Sequence, residues 1–146
     1  MIAPSAIVLA LAAGASLALQ YTIMLAIMER GIGPIRALFI NSLVGLVLLA
    51  GIEFARQGPS FATELAARAR LWFVLPGLLG TFFVFASLYG YKHQGAAATT
   101  VLAVAAQLVT GILLDQMGLT GATRPFDLLT LVGAVLLVFG AIIVVR

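Results

Sequence analysis

The segment Leu128–Val145 reads LLTLVGAVLLVFGAIIVV, eighteen residues without a charge. At about 1.5 Å per residue, a helix of that length covers about 27 Å, close to the ~30 Å hydrocarbon core of a bilayer. Outward from it lie four more uncharged stretches: Met1–Met28, Ala37–Ile52, Leu71–Tyr91 and His93–Leu114. Ala37–Ile52 is short at 16 residues, but Arg36 and Glu53 at its ends can extend their charges to the headgroups. The pattern predicts an all-α membrane protein with five transmembrane helices. Its spans run approximately over 3–28, 36–55, 71–91, 95–115 and 127–145, within a single transmembrane domain, residues 1–146.

Composition excludes the other classes. Of 146 residues, 63% are hydrophobic and 9% charged, whereas a soluble domain carries about 25% charged residues and needs them to cover its surface. With no Cys, the chain has no disulfide framework, thiolate metal site or Cys nucleophile. One His leaves no histidine-rich metal cluster, so neither a metal nor a cofactor is expected. The net charge of +3 reflects few acids, five against eight bases, and no basic run marks a nucleic-acid partner. No Ser–His pair, paired carboxylates or metal-ligand set falls at membrane depth, so no catalytic residues are assigned and an enzyme is not expected.

The junctions fit five crossings. Gly31, Gly33 and Pro34 form a turn after the first span, and Gln57, Gly58, Pro59 and Ser60 end the second. Phe61–Arg70 then reads as a short amphipathic helix with Ser60 as its N-cap. Lys92, His93, Gln94 and Gly95 make a tight third loop, leaving His93 solvated, and Gly118–Pro125 makes the fourth. The first apolar run is 28 residues with no basic residue before it. A signal peptide has a basic n-region and an apolar core of roughly 7–15 residues, so this run reads as a retained span.

Lys and Arg collect in cytoplasmic loops and so orient a membrane protein. Here Arg56, Arg68, Arg70 and Arg124 fall on the side of the N-terminus, and Arg30, Arg36, Lys92 and Arg146 on the other. The balance is even. Either a partner or the first span fixes one orientation, or the chain inserts both ways and the two orientations pair as an antiparallel homodimer. Five spans put the termini on opposite sides. Such a dimer has ten helices with inverted-repeat symmetry, the plan of many secondary transporters.

No charged residue lies in the middle of a span, which argues against a buried acid as proton or ion site. The polar groups at depth are neutral. Ser16 and Gln20 are four apart on one face of the first helix, with Met24 below them; Asn41 and Gly45 share a face of the second; Thr100, Gln107 and Gly111 share one on the fourth. Amides are costly in hydrocarbon without partners, so Gln20, Asn41 and Gln107 are expected to point inward, as helix-to-helix glue or as substrate contacts in a shared polar cavity. Trp72, Tyr89 and Tyr91 sit at the ends of the third span, as interfacial aromatics do; a cation–π contact from Tyr89 to a cationic solute is the alternative. Asp115 closes the fourth helix, where the dipole disfavours an anion. It therefore calls for an ion-pair partner such as Arg124 or a base of a second copy, or for a gating or coupling role. Gly77 and Gly80 on the third helix, and Gly133 and Gly140 on the last, permit close helix packing, and Pro76 offers a kink.

The run Gly95–Leu119, GAAATTVLAVAAQLVTGILLDQMGL, followed by Val132–Val145, VGAVLLVFGAIIVV, resembles the drug/metabolite transporter (DMT) superfamily. Within it, the chain is most similar to the small five-helix YdcZ-type family of inner-membrane exporters. The resemblance rests on Gly-Ala-Ala opening the fourth span, Gln107-Leu108 at its middle, Asp115 with Gly118-Leu119 closing it, and the later glycines. Gly77–Gly80, Ala86-Ser87 and Leu19-Gln20 agree with it, and it covers roughly Gly14–Val145. Met24 stands where the family has Asn, and Ala106 where Gly is usual, which bears on substrate choice. The small multidrug transporters of the same superfamily carry a Glu in the first span; this chain has none there, so their mechanism does not carry over.

The resemblance implies a bacterial inner-membrane, multi-pass protein. Its expected function is a small secondary transporter, an exporter of a small organic or amphipathic solute, working by alternating access as one half of a ten-helix DMT-type dimer. Candidate substrate-binding residues are Gln20, Asn41, Gln107, Ser16, Thr100 and Tyr89. The expected partners are membrane lipid, a second copy of the chain and the solute. The alternative is a non-transporting accessory subunit that packs against a larger partner.

Overall fold

The computed structural model describes residues 4–118 and 127–146. The described residues form α1 (Pro4–Glu29), α2 (Pro34–Gln57), α3 (Ser60–Arg68), a 3-10 turn (Leu71–Phe73), α4 (Val74–Gln94), α5 (Ala96–Gln116) and α6 (Leu128–Val145), with no strand among them. Five segments are long and apolar enough to cross a membrane: α1, α2, the 3-10 turn with α4, α5 and α6. α2 extends beyond its uncharged stretch at both ends, and α1, α4 and α5 at their C-terminal ends, because terminal charges on long stems stay within helical turns while reaching for the headgroups.

The turns follow from local chemistry. Pro34 opens α2 at its first turn, where the missing N–H would have had no partner. Gly58, at φ +68°, closes α2 by donating its N–H to the Phe54 carbonyl at 2.8 Å. Asp127 caps α6, its Oδ1 accepting from the Leu129 N–H at 3.3 Å. The loop after α4 is shorter than the sequence reading. Lys92, His93 and Gln94 remain helical, and Gly95 alone turns the chain, at φ +86°, which a residue with a Cβ adopts only under strain.

Two further expectations are corrected. Ser60 is not the N-cap of α3 but its first residue, and its Oγ donates back to the Gln57 carbonyl at 2.9 Å. Pro76 is the third residue of α4, directly after the 3-10 turn. First-turn N–H groups have no intrahelical partner, so the ring displaces no bond, and Pro76 marks the start of the helix without kinking its middle.

The chain divides into two compact units, Gln20–Leu88 and Met1–Leu19 with Tyr89–Arg146. In the first, burial falls on Tyr21, Met24, Ala37, Leu38, Ser87 and Leu88, and α3 packs back on α2. In the second, α5 and α6 pack together, with Ala105, Ala134 and Ala141 buried. These small side chains let two backbones approach where solvent-driven burial offers no gain. The remaining apolar surface faces outward: Leu46, Leu79, Leu129 and Leu136 are all exposed. Only 11–17% of each span's most apolar window is buried, so these faces are made for hydrocarbon.

Candidate functional site

In the unit Gln20–Leu88, two of the expected amides meet. Gln20 Nε2 donates to Asn41 Oδ1 at 2.8 Å, joining α1 to α2, and both residues are half-buried. Counting from the ends that face the Gly31–Pro34 turn, Gln20 lies about 13 Å and Asn41 about 10 Å along the helices, roughly a third of the length of each. An amide has two donors and an acceptor, so the single bond leaves polar capacity on both side chains. Met24, one turn below Gln20, is 4% exposed and closes that end of the pair with an apolar thioether.

Ser16, one turn above Gln20 on α1, is exposed.

The second unit holds a different polar cluster. The Tyr91 and Thr100 hydroxyls lie 2.8 Å apart in a hydrogen bond between α4 and α5. Tyr91 is buried at 6% exposure. Beside it, a Cβ built on Gly90 would stand 2.6 Å from Thr99 Cγ2 and 2.7 Å from Thr99 Oγ1. Gly90 is therefore the point where α4 and α5 nearly touch. The Thr99 hydroxyl donates to the Gly95 carbonyl at 2.9 Å. Neither Gly90 nor Thr99 stands out in the sequence. The signal that finds them is the one-residue turn at Gly95, which brings residues four or five positions before it to face residues four or five positions after it.

Tyr89 is exposed and sits over His93, ring centroids 4.2 Å apart with 40° between the planes. His93 is thus part of an aromatic pair on the last turn of α4, not a loop residue.

Gln107 is the twelfth of 21 residues in α5, at its middle, and is exposed. It has no hydrogen-bond partner among the described residues. Asp115 is half-buried in the last turn of α5 and engaged in an interaction of its own; Arg124, its expected partner, lies outside the described residues. At Gly77, Gly80, Gly133 and Gly140, no atom counted among the described residues comes within 4 Å of a built Cβ. Next to α5, an apolar groove of about 410 Å³ runs between α5 and α6, walled by Val109, Ile112, Leu113, Leu131, Val135 and Phe139. Among the described residues, no group of three or more His, Asp or Glu is placed to hold a metal ion.

The model of the family described as "Putative inner membrane exporter, YdcZ" matches residues 5–143. The inner membrane protein YdcZ of Escherichia coli (strain K12) is 42% identical over 136 residues, which is 93% of this chain and 91% of that protein. No solved structure matches the chain.

Proposed function

The chain belongs to the YdcZ family of inner-membrane exporters and is an integral, multi-pass inner-membrane protein; from this premise we propose that it is a small secondary transporter exporting a small organic or amphipathic solute, by alternating access, as an antiparallel homodimer.

The observation that carries the proposal is Gln107. A primary amide at the centre of an apolar span, exposed and without a hydrogen-bond partner among the described residues, is costly in hydrocarbon. The cost is relieved by a second protein surface, by a water-filled path or by a polar solute. A transport pathway lined partly by a second copy supplies all three. On this reading Gln20 and Asn41 offer further amide capacity on their own helices, and Ser16 a hydroxyl on α1. On α4 and α5, Thr100 and Tyr89 add a hydroxyl and an aromatic face. Neutral amides, hydroxyls and aromatics suit weakly polar solutes better than strong ions. Asp115, at the end of α5, takes the gating or coupling role on this reading.

The even split of Lys and Arg supports insertion in both orientations. Two inverted copies would also bring together surfaces that one chain leaves open, including the glycines Gly77, Gly80, Gly133 and Gly140.

The test is flux through the purified chain alone in liposomes, using a solute first found by its stabilising effect on the folded protein. Saturable movement of that solute is expected. Binding without movement would favour an accessory subunit that needs a larger partner.

A further inference from the structure

We infer that the segment from Arg56 to Phe73 is a binding surface for anionic phospholipid headgroups at the membrane interface. α3 has Phe61 and Leu65 four apart on one face, with Leu65 62% exposed, and Arg68 one turn further along it. The chain then leaves the helix through Ala69 and Arg70 into Leu71, Trp72 and Phe73, of which Leu71 is 92% exposed and Trp72 60%. Trp72 and Phe73 are set edge to face, ring centroids 4.5 Å apart. Exposed apolar and aromatic side chains this close to arginines suit a headgroup boundary, where the rings enter the acyl region and the guanidiniums stay among phosphates.

The charges in this surface are not spent on each other. Arg56 is paired with Glu53 at 3.3 Å, and Glu53 also accepts from Gln57 Nε2 at 2.9 Å. Arg68 and Arg70 are both exposed, and neither has an ion-pair partner among the described residues, Glu64 included. Arg68 gains from lying at the C-terminal end of α3, but that does not account for Arg70, which lies beyond the helix. Two free guanidiniums on either side of Ala69, directly before an exposed tryptophan, can each make a forked contact to a lipid phosphate. The occupant is a bilayer lipid, because free phosphate would leave Leu71 and Trp72 in water.

Trp72 is the sole tryptophan of the chain and therefore reports on this surface alone. The full-length protein would be placed in mixed vesicles of phosphatidylglycerol and phosphatidylcholine, with bromine on the acyl chains of one lipid or the other. At equal mole fraction, brominated phosphatidylglycerol should quench Trp72 more strongly, with a preference of about five-fold per engaged arginine, the fold-change for a basic residue near an anionic surface. The preference should fall with added salt. It should vanish in the double variant Arg68→Gln/Arg70→Gln and rise in Glu64→Gln, which removes the local acid. Equal quenching by both brominated lipids in the native chain, or a preference unchanged in the double arginine variant, overturns the assignment.

Discussion

Gln20 and Asn41 share a hydrogen bond of 2.8 Å between two helices, roughly a third of the way along each from the turn that joins them. The bond satisfies one donor and one acceptor, and leaves each amide able to bind something else. A purely structural bond and a solute contact predict different things here. Replacing either residue with Leu should destabilise the chain, because the remaining amide is left half-buried without its partner. Interhelical bonds of this kind average about 0.6 kcal/mol and reach about 1.7 kcal/mol. The double variant Gln20→Leu/Asn41→Leu should recover part of the loss, and equilibrium unfolding in mixed detergent would measure the coupling.

The Gly90–Thr99 approach gives a sharper result. Gly90→Ala puts a methyl group 2.6 Å from Thr99 Cγ2, so α4 and α5 must move apart, and a loss of about 1–3 kcal/mol is expected. Thr99→Ala removes both atoms that lie under 3 Å and leaves only the Thr99 Cβ at 3.2 Å. Gly90→Ala/Thr99→Ala should therefore be more stable than Gly90→Ala alone. Unfolding midpoints of the three variants decide it.

These two contacts differ in how far they are legible in the sequence. The five spans are plain, because a stretch without charge long enough to cross a bilayer has few other uses. The polar pair is legible as well: Gln20 and Asn41 are conspicuous in apolar helices and need partners. Gly90 and Thr99 are not, since glycine and threonine recur throughout the spans and only the turn at Gly95 sets which of them meet. The same turn explains the misplaced His93. A polar tripeptide before a glycine looks like a loop, yet Lys92 sits favourably in a last helical turn, where the dipole welcomes positive charge. Ser60 misleads in a similar way, because Pro59 takes the capping position and leaves the hydroxyl to bond backwards to Gln57.

Among the described residues, nothing counted stands within 4 Å of a Cβ built at Gly133, Gly140, Gly77 or Gly80. Alanine at each of these sites should leave the folded chain unharmed or raise its stability by up to about 1 kcal/mol, the helix-propensity gain over glycine. If the faces they lie on pack against a second copy, the same substitutions should lower the dimeric fraction. Cross-linking yield, measured beside monomer stability, separates the two effects.

Topology follows from the four-to-four distribution of basic residues. Reporters fused to the C-terminus should be found on both sides of the membrane in the same cells. Two lysines added to the Gly31–Pro34 turn should draw that turn to the cytoplasmic side and leave one population. A C-terminus wholly on one side in the unaltered chain would rule out dual insertion.

The most direct test of the transport proposal is Gln107→Leu, with solute flux and thermal stability measured on the same proteoliposome preparation. Leu is close to Gln in volume and at ease in an apolar setting, so the variant should fold and keep its melting temperature within a few degrees. The account predicts that it binds the solute weakly and moves none, while the native chain shows saturable flux. Flux and affinity unchanged in Gln107→Leu would contradict it.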